Sequence, residues 1–216
     1  MPSNGQSHSN GKRSSSKAKS RSDGRRQLQS SRSMRQELDT EWLKDFLSEM
    51  LAVEKGGVQL YQKAIAELSH PELDEKLNEF LLQTERHVEL CSEMLTEIGV
   101  DVDYQSAGAQ AAEHKAEGLI STEVPEKLID LNNIENLVLA ETKDHWDWEM
   151  LAAVAPMIED AGIKRMVTRA VKEVQRQETA HLNWNEKTLS MLAKESAMQT
   201  STKMARNQRD AETPMK

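Results

Sequence analysis

Four stretches of this chain carry apolar residues at spacings of three and four, and each stripe contains an acid or a histidine near its middle. This period is that of an α-helix that buries one face. A buried charge is costly unless it is paired or bound to a metal ion. Four helices that each turn ionisable groups inward predict one shared interior site, formed by these side chains: Glu54, His87, Glu141, Glu178 and His181.

The composition favours an all-α protein, because only 4% of the 216 residues are aromatic and β-branched runs are scarce. Cys91 is the single cysteine. It excludes a disulfide within the chain and an iron site built from four thiolates. No apolar run approaches the roughly 20 residues that cross a bilayer, and no apolar segment follows the basic N-terminus. We therefore expect no membrane contact, no secretory signal and a cytoplasmic protein.

Charge and composition divide the chain into three parts. Residues 1–35 hold nine Lys/Arg, one Asp and eleven Ser, a net charge of +8, whereas the remaining residues carry a net charge of −16. A segment so polar buries too little apolar surface to fold. The predicted organisation is a disordered basic, Ser-rich arm at 1–37, one helical domain at 38–196, and a polar tail at 197–216.

The first two predicted helices flank a proline. The first begins near Asp39 or Thr40, either of which can cap it, and ends near His70 because Pro71 disfavours a helical residue before it. The second begins at Pro71 and stops at Gly99. The short connection between them predicts that they run antiparallel.

The second half of the domain contains a long connection and two more helices. Residues 100–124 predict a connection with one short helix, which is long enough to return along the bundle. The third helix starts between Pro125 and Asn133 and ends or kinks at Pro156. The fourth runs from Ile163 to about Lys194. This pattern predicts a four-helix bundle with one long crossover between the second and third helices.

The spacing of the inward groups adds a motif. Glu178 and His181 lie three residues apart, so both share one face of the fourth helix and can bind the same metal centre. Together with Glu54, His87 and Glu141 on the other helices, this pattern resembles the ferritin-like superfamily, in which two helices give one Glu each and two give Glu-x-x-His. Tyr61, two turns after Glu54, also matches a tyrosine often seen in ferritins.

The resemblance implies roles for these residues in a di-metal centre. Glu54 and Glu141 would be terminal ligands, Glu178 would bridge two metal ions, and His87 and His181 would each bind one ion. The chain departs from the family at Thr84, where a glutamate is expected, and Glu85 is one position away and faces outward. Replacement ligands could come from one turn after Glu141, namely Asp144 or His145. This departure places the chain nearer to stress-associated ferritin-like proteins than to cage ferritin.

The chemistry implied is redox chemistry at iron or manganese, since carboxylate and imidazole ligands suit these metals. Two such ions can act on oxygen or peroxide, so the expected activity is that of an oxidoreductase of ferroxidase, peroxidase or catalase type. The family also implies a homo-oligomer and a role in iron handling or oxidative stress.

Two other interpretations stay open at this stage. The bundle could have lost its metal site and serve as a structural or interaction protein, in which the inward acids form hydrogen-bonded pairs that are stable without metal. Taken singly, His87 could be a hydrogen-bonded core residue, and Glu54 and Glu141 could be solvated at the edges of their stripes. Alternatively, the chain is a helical adaptor in which these groups never converge. The arm at 1–35 could also bind nucleic acid through its charge alone, because it has no aromatic residue that would stack on bases.

Overall fold

A computed structural model describes the backbone of residues 38–212 and the side chains of residues 38–198. Over this range the chain forms five α-helices and three short 3-10 turns, with no β-strand, so the all-α prediction is confirmed. The predicted arm at 1–37 lies outside the described residues. No helix within 38–212 combines the length and apolar character that a bilayer span needs.

Helices α1 (Thr40–Ala66) and α2 (Asp74–Glu97) form the first antiparallel pair. The Asp39 side chain caps α1 by accepting the Glu41 amide at 3.0 Å, as its position predicted. A 3-10 turn at Pro71–Leu73 precedes α2, so the proline begins a tighter turn and not the α-helix itself. Gly99, with φ of 79°, ends α2 in the left-handed conformation that a glycine adopts without strain.

The long connection contains the predicted short helix, α3 (Ala107–Ile120), which packs along α1. Ser106 caps α3 and also donates its hydroxyl to the Asp45 carbonyl on α1 at 3.0 Å. The two helices approach closely at Gly56, where an added Cβ would lie 2.8 Å from the Cβ of Ala116. A side chain at position 56 would therefore push α3 away from the bundle.

Helices α4 (Ile129–Val154) and α5 (Ala161–Glu212) form the second pair. A 3-10 turn at Ala155–Met157 separates them, as Pro156 predicted. The predicted end of the last helix near Lys194 is wrong, because α5 continues through the predicted tail as far as Glu212. The loss of apolar periodicity suggested an end, but 163–213 contain no Gly or Pro, and strong helix formers fill the segment.

The four long helices pack side by side, with α1 against α2 and α4, and α5 against α2 and α4. Two hydrogen bonds fix the direction of α1 relative to α4. Glu54 on α1 contacts Trp148 on α4, and Tyr61, seven residues later on α1, contacts Glu141, seven residues earlier on α4. The two helices are therefore antiparallel. Because α1 is antiparallel to both α2 and α4, these last two run parallel, and the connection that contains α3 returns along the bundle between them.

Two apolar clusters fill the interior at different levels of the bundle. One includes Leu47, Leu95 and Leu151, and the other includes Leu77 and Leu137; all of these side chains are fully buried. On each long helix, the ionisable residues predicted from the sequence fall between the positions that enter the two clusters. The fold therefore holds a polar layer between two apolar layers.

Candidate metal centre

The polar layer brings six ionisable side chains together. They form two groups in which the potential ligand atoms lie within 4.8 Å of one another, and all six residues are buried. The structure thus brings together the five residues predicted from the stripes and adds Asp144, one of the two predicted replacements. We call this set the candidate centre; its groups are Glu54, His87 and Asp144, and Glu141, Glu178 and His181.

Glu178 lies between the two groups. Its Oε1 is 3.1 Å from Nδ1 of His87 and 3.4 Å from Nδ1 of His181. On the outer sides, Oε2 of Glu54 is 3.5 Å from Nδ1 of His87, and Oε2 of Glu141 is 3.3 Å from Nδ1 of His181. Both imidazoles therefore present the same ring nitrogen to Glu178, and each has a second carboxylate beside it.

The two outer glutamates are each held by a buried donor. Trp148 donates its indole N–H to Oε1 of Glu54 at 2.8 Å, and the Tyr61 hydroxyl donates to Oε1 of Glu141 at 2.5 Å. Asn185 in turn donates to the Tyr61 oxygen at 3.2 Å. In each carboxylate Oε1 is thus held by a hydrogen bond from a neighbouring side chain, and Oε2 faces the centre.

The two histidines are each held from the opposite helix. Nε2 of His87 on α2 lies 2.9 Å from the amide oxygen of Gln177 on α5. Nε2 of His181 on α5 lies 2.8 Å from the amide oxygen of Gln83 on α2. A carbonyl oxygen only accepts, so in this arrangement each Nε2 carries the proton and each Nδ1 presents a lone pair.

The atoms that face the centre have no hydrogen-bond partner. Seven buried oxygen and nitrogen atoms of the six residues are in this state, and they are Oε2 of Glu54, Nδ1 of His87, Oε2 of Glu141, Oδ1 of Asp144, both carboxylate oxygens of Glu178 and Nδ1 of His181. Each unpaired buried polar group costs about 1–3 kcal/mol. All seven are electron-pair donors, so metal ions held by the two groups would satisfy them, and the residues fit such ions.

The charge distribution is also that of a cation site. Burial, followed by the negative charge of Asp144, raises the pKa of Glu178 well above its usual range. Burial and Glu54 raise the pKa of Asp144 in the same way. Burial acts in the same direction on Glu141, but the neighbouring His181 ring and the hydrogen bond from Tyr61 outweigh it and lower the pKa of that carboxyl.

No lysine or arginine among residues 38–198 forms an ion pair with these acids. Among the side chains described, only histidines form ion pairs with the carboxylates of the candidate centre. When all four carboxylates are ionised, they carry the charge that two divalent cations would balance. The arrangement therefore suits two divalent ions better than one, provided that both imidazoles are neutral.

The departure from the family pattern has a structural counterpart. Thr84 is buried, but its hydroxyl donates to the Phe80 carbonyl of its own helix at 3.0 Å, so it turns away from the centre. Glu85 is exposed, as expected. Asp144 on α4 completes the group of Glu54 and His87. His145, the other predicted replacement, belongs to neither group, because one residue along a helix is a rotation of about 100°.

Sequence reasoning missed the residues that hold the ligands. Gln83 and Gln177 each lie four residues before one of the histidines, so a repeated Gln-x-x-x-His spacing was present in the chain. Trp148 lies in an apolar stripe and carried no signal that distinguished it from a core residue, but it donates a hydrogen bond to Glu54. Asn185 had no signal beyond its place one turn after His181.

No protein-family model, curated protein or solved structure in these three comparisons matches this chain.

Proposed function

We propose that this chain is a ferritin-like protein whose bundle interior binds two ions of iron or manganese, with a redox role in iron handling or oxidative stress. The observation that carries the proposal is the convergence of seven buried lone-pair atoms without a hydrogen-bond donor. In a metal-free protein these buried electron-pair donors would remain close together without a partner, which is unfavourable, whereas each cation would bind several of them at once.

The donor types support the choice of metal. The centre offers carboxylate oxygens and imidazole nitrogens, which suit iron and manganese better than metals that prefer thiolates. Cys91 lies one turn after His87 but belongs to the apolar cluster. Burial raises the pKa of its thiol well above the usual range, so it stays protonated and is not a ligand.

Each residue has a specific task in this proposal. Glu54, Asp144 and His87 would hold one ion, Glu141 and His181 would hold the other, and Glu178 would bridge the two. Tyr61 and Trp148 fix the outer carboxylates. Two bound ions of this kind supply electrons for chemistry on oxygen or peroxide, while the apolar layers on either side exclude bulk water from the bundle interior.

The family assignment is supported by the helix order and by the ligand pattern. Two antiparallel pairs joined by a long crossover, with Glu on α1 and α4 and Glu-x-x-His on α5, agree with the ferritin-like arrangement. Asp144 supplies from α4 the carboxylate that Thr84 does not supply from α2. This exchange supports a place among stress-associated ferritin-like proteins, in which the second motif is reduced.

The test is the metal content of the purified protein, measured by elemental analysis. We expect about two ions per chain, and loss of metal from Glu178→Ala and His181→Ala. Matched controls are Glu186→Ala, an exposed position on α5, and His114→Ala, an exposed position on α3. Equal metal in the wild type, both site variants and both controls would refute the assignment.

The competing proposal is a bundle that has lost its metal and acts as a structural or interaction protein. Its specific support is that Trp148 and Tyr61 already donate to one oxygen of Glu54 and of Glu141. It predicts a melting temperature that chelators leave unchanged, because a ligand bound only to the native state must raise stability.

Homo-oligomer formation, nucleic-acid binding through residues 1–35 and a cytoplasmic location remain predictions.

A further inference from the structure

Helices α2 and α5 exchange hydrogen bonds in a reciprocal pattern. Gln83 and His87 lie one turn apart on α2, and Gln177 and His181 lie one turn apart on α5. Each glutamine contacts the histidine of the other helix, at 2.8 and 2.9 Å. The helices are antiparallel, so a single spacing used twice produces both contacts.

These contacts decide which ring nitrogen faces the candidate centre. In each histidine, Nε2 points toward the glutamine and Nδ1 points toward the carboxylates. Nδ1 of His87 lies 3.1 Å from a carboxylate oxygen of Glu178, yet it makes no hydrogen bond. The oxygen therefore does not lie where an N–H at Nδ1 would point, which agrees with a lone pair at that atom.

The glutamines also separate the histidines from solvent. Both line a groove of about 610 Å³ between α2 and α5, together with Phe80, Trp184 and a charged rim. Gln83 and Gln177 are half-buried, whereas both histidines are fully buried beneath them. An uncharged acceptor at this depth orients an imidazole without adding a further acidic group to the centre.

We propose that Gln83 and Gln177 are reciprocal positioning residues: each accepts the Nε2 proton of the histidine on the opposite helix and so directs the Nδ1 lone pair into the centre. Gln83 would thereby control the group that contains His181, and Gln177 the group that contains His87. The naming of these groups as metal sites rests on the proposed function, but the tautomer assignment does not.

The first experiment uses the metal-free, full-length protein. Nitrogen-15 NMR of the histidine side chains reports which ring nitrogen carries the proton. We expect Nε2 protonated and Nδ1 unprotonated in His87 and His181 of the wild type. An Nδ1–H tautomer in both would overturn the proposal, because it would mean that the glutamine amides donate.

Variants then test the reciprocity. Gln177→Leu should change the ring signals of His87, and Gln83→Leu those of His181, while Gln59→Leu, an exposed control on α1, should change neither. Gln177→Glu and Gln83→Glu keep an acceptor and should retain the Nε2 proton. A change confined to the histidine on the same helix as the variant would overturn the reciprocal assignment, and circular dichroism identifies any variant that fails to fold.

The second experiment titrates the same proteins with Mn²⁺ and follows binding by electron paramagnetic resonance. Loss of a hydrogen bond to a ligating histidine lowers metal affinity by about 10–100-fold. Each leucine variant should weaken one of two bound ions and leave the other, whereas the glutamate variants should keep both. A wild type that binds no Mn²⁺ but shows the expected tautomers would refute the proposed function alone. Equal weakening of both ions by either leucine variant would overturn the reciprocal assignment.

Discussion

Replacement of Glu178 by glutamine should stabilise the metal-free protein and at the same time abolish most of its response to metal. Glu178 is fully buried between the two groups of the candidate centre, and its carboxylate oxygens have no hydrogen-bond partner. Glutamine has nearly the same shape, cannot ionise and introduces two N–H donors. In a centre that contains only acceptors, those donors can pair with Nδ1 of His87 or His181, which lie 3.1 and 3.4 Å from Oε1.

The expected magnitudes follow from general energetics. Satisfying a buried polar group that had no partner is worth about 1–3 kcal/mol, and for a chain of this size 1 kcal/mol shifts Tm by about 2–4 °C. The metal-free variant should therefore melt about 2–12 °C above the metal-free wild type. A metal at 100 times its Kd adds about 2.7 kcal/mol to the wild type, or about 5–11 °C. The variant should lose most of that increase.

The assay is thermal unfolding followed by circular dichroism, in excess chelator and in excess Mn²⁺. Glu186→Gln, the same change at an exposed position of α5, should match the wild type under both conditions. The reasoning is refuted if Glu178→Gln melts below the wild type in chelator, since the carboxylate would then be stabilising without metal. An unchanged metal response of the variant would equally exclude Glu178 as a bridging ligand.

Three further predictions concern stability. Leu47→Ala, at a fully buried core position, should cost about 2–5 kcal/mol in chemical denaturation, and a loss below 1 kcal/mol would contradict its place in the core. Gly99→Ala forces a residue with a Cβ into φ of 79° and should cost about 1–2 kcal/mol, and the absence of any loss would contradict this strain. A hydrogen bond to Asp130 raises the pKa of His70, so its contribution is complete below pH 6.5 and is lost as the pH rises through the raised value. In His70→Gln, the difference in unfolding free energy between pH 6 and pH 9 should therefore be smaller than in the wild type by about 0.2–1 kcal/mol. An unchanged difference would show that His70 does not contribute to it.

Part of the fold could be read from local signals along the chain. Asp39, Gly99 and Pro156 mark helix boundaries that the structure reproduces, because capping, left-handed turns and the absence of a proline N–H act within one turn of the residue. The end of α5 could not be read in the same way. A helix continues until a residue ends it. Beyond Lys194 the chain has no apolar stripe to pack against the bundle, but its residues still favour the helical conformation.

In the candidate centre, too, local signals determined some features and the tertiary structure determined others. The chain alone determined that Glu54, His87, Glu141, Glu178 and His181 share the buried faces of their helices, because helical periodicity places a residue on a face wherever the helix lies. Only the tertiary structure decided that the faces meet at one level of the bundle and that Asp144, and not His145, completes the group around Glu54. The partners of the ligands, such as Gln177, were likewise decided by packing. The Gln-x-x-x-His spacing recurs on both helices, but a hydrogen bond between antiparallel helices also depends on their relative register, which the spacing within one helix does not fix.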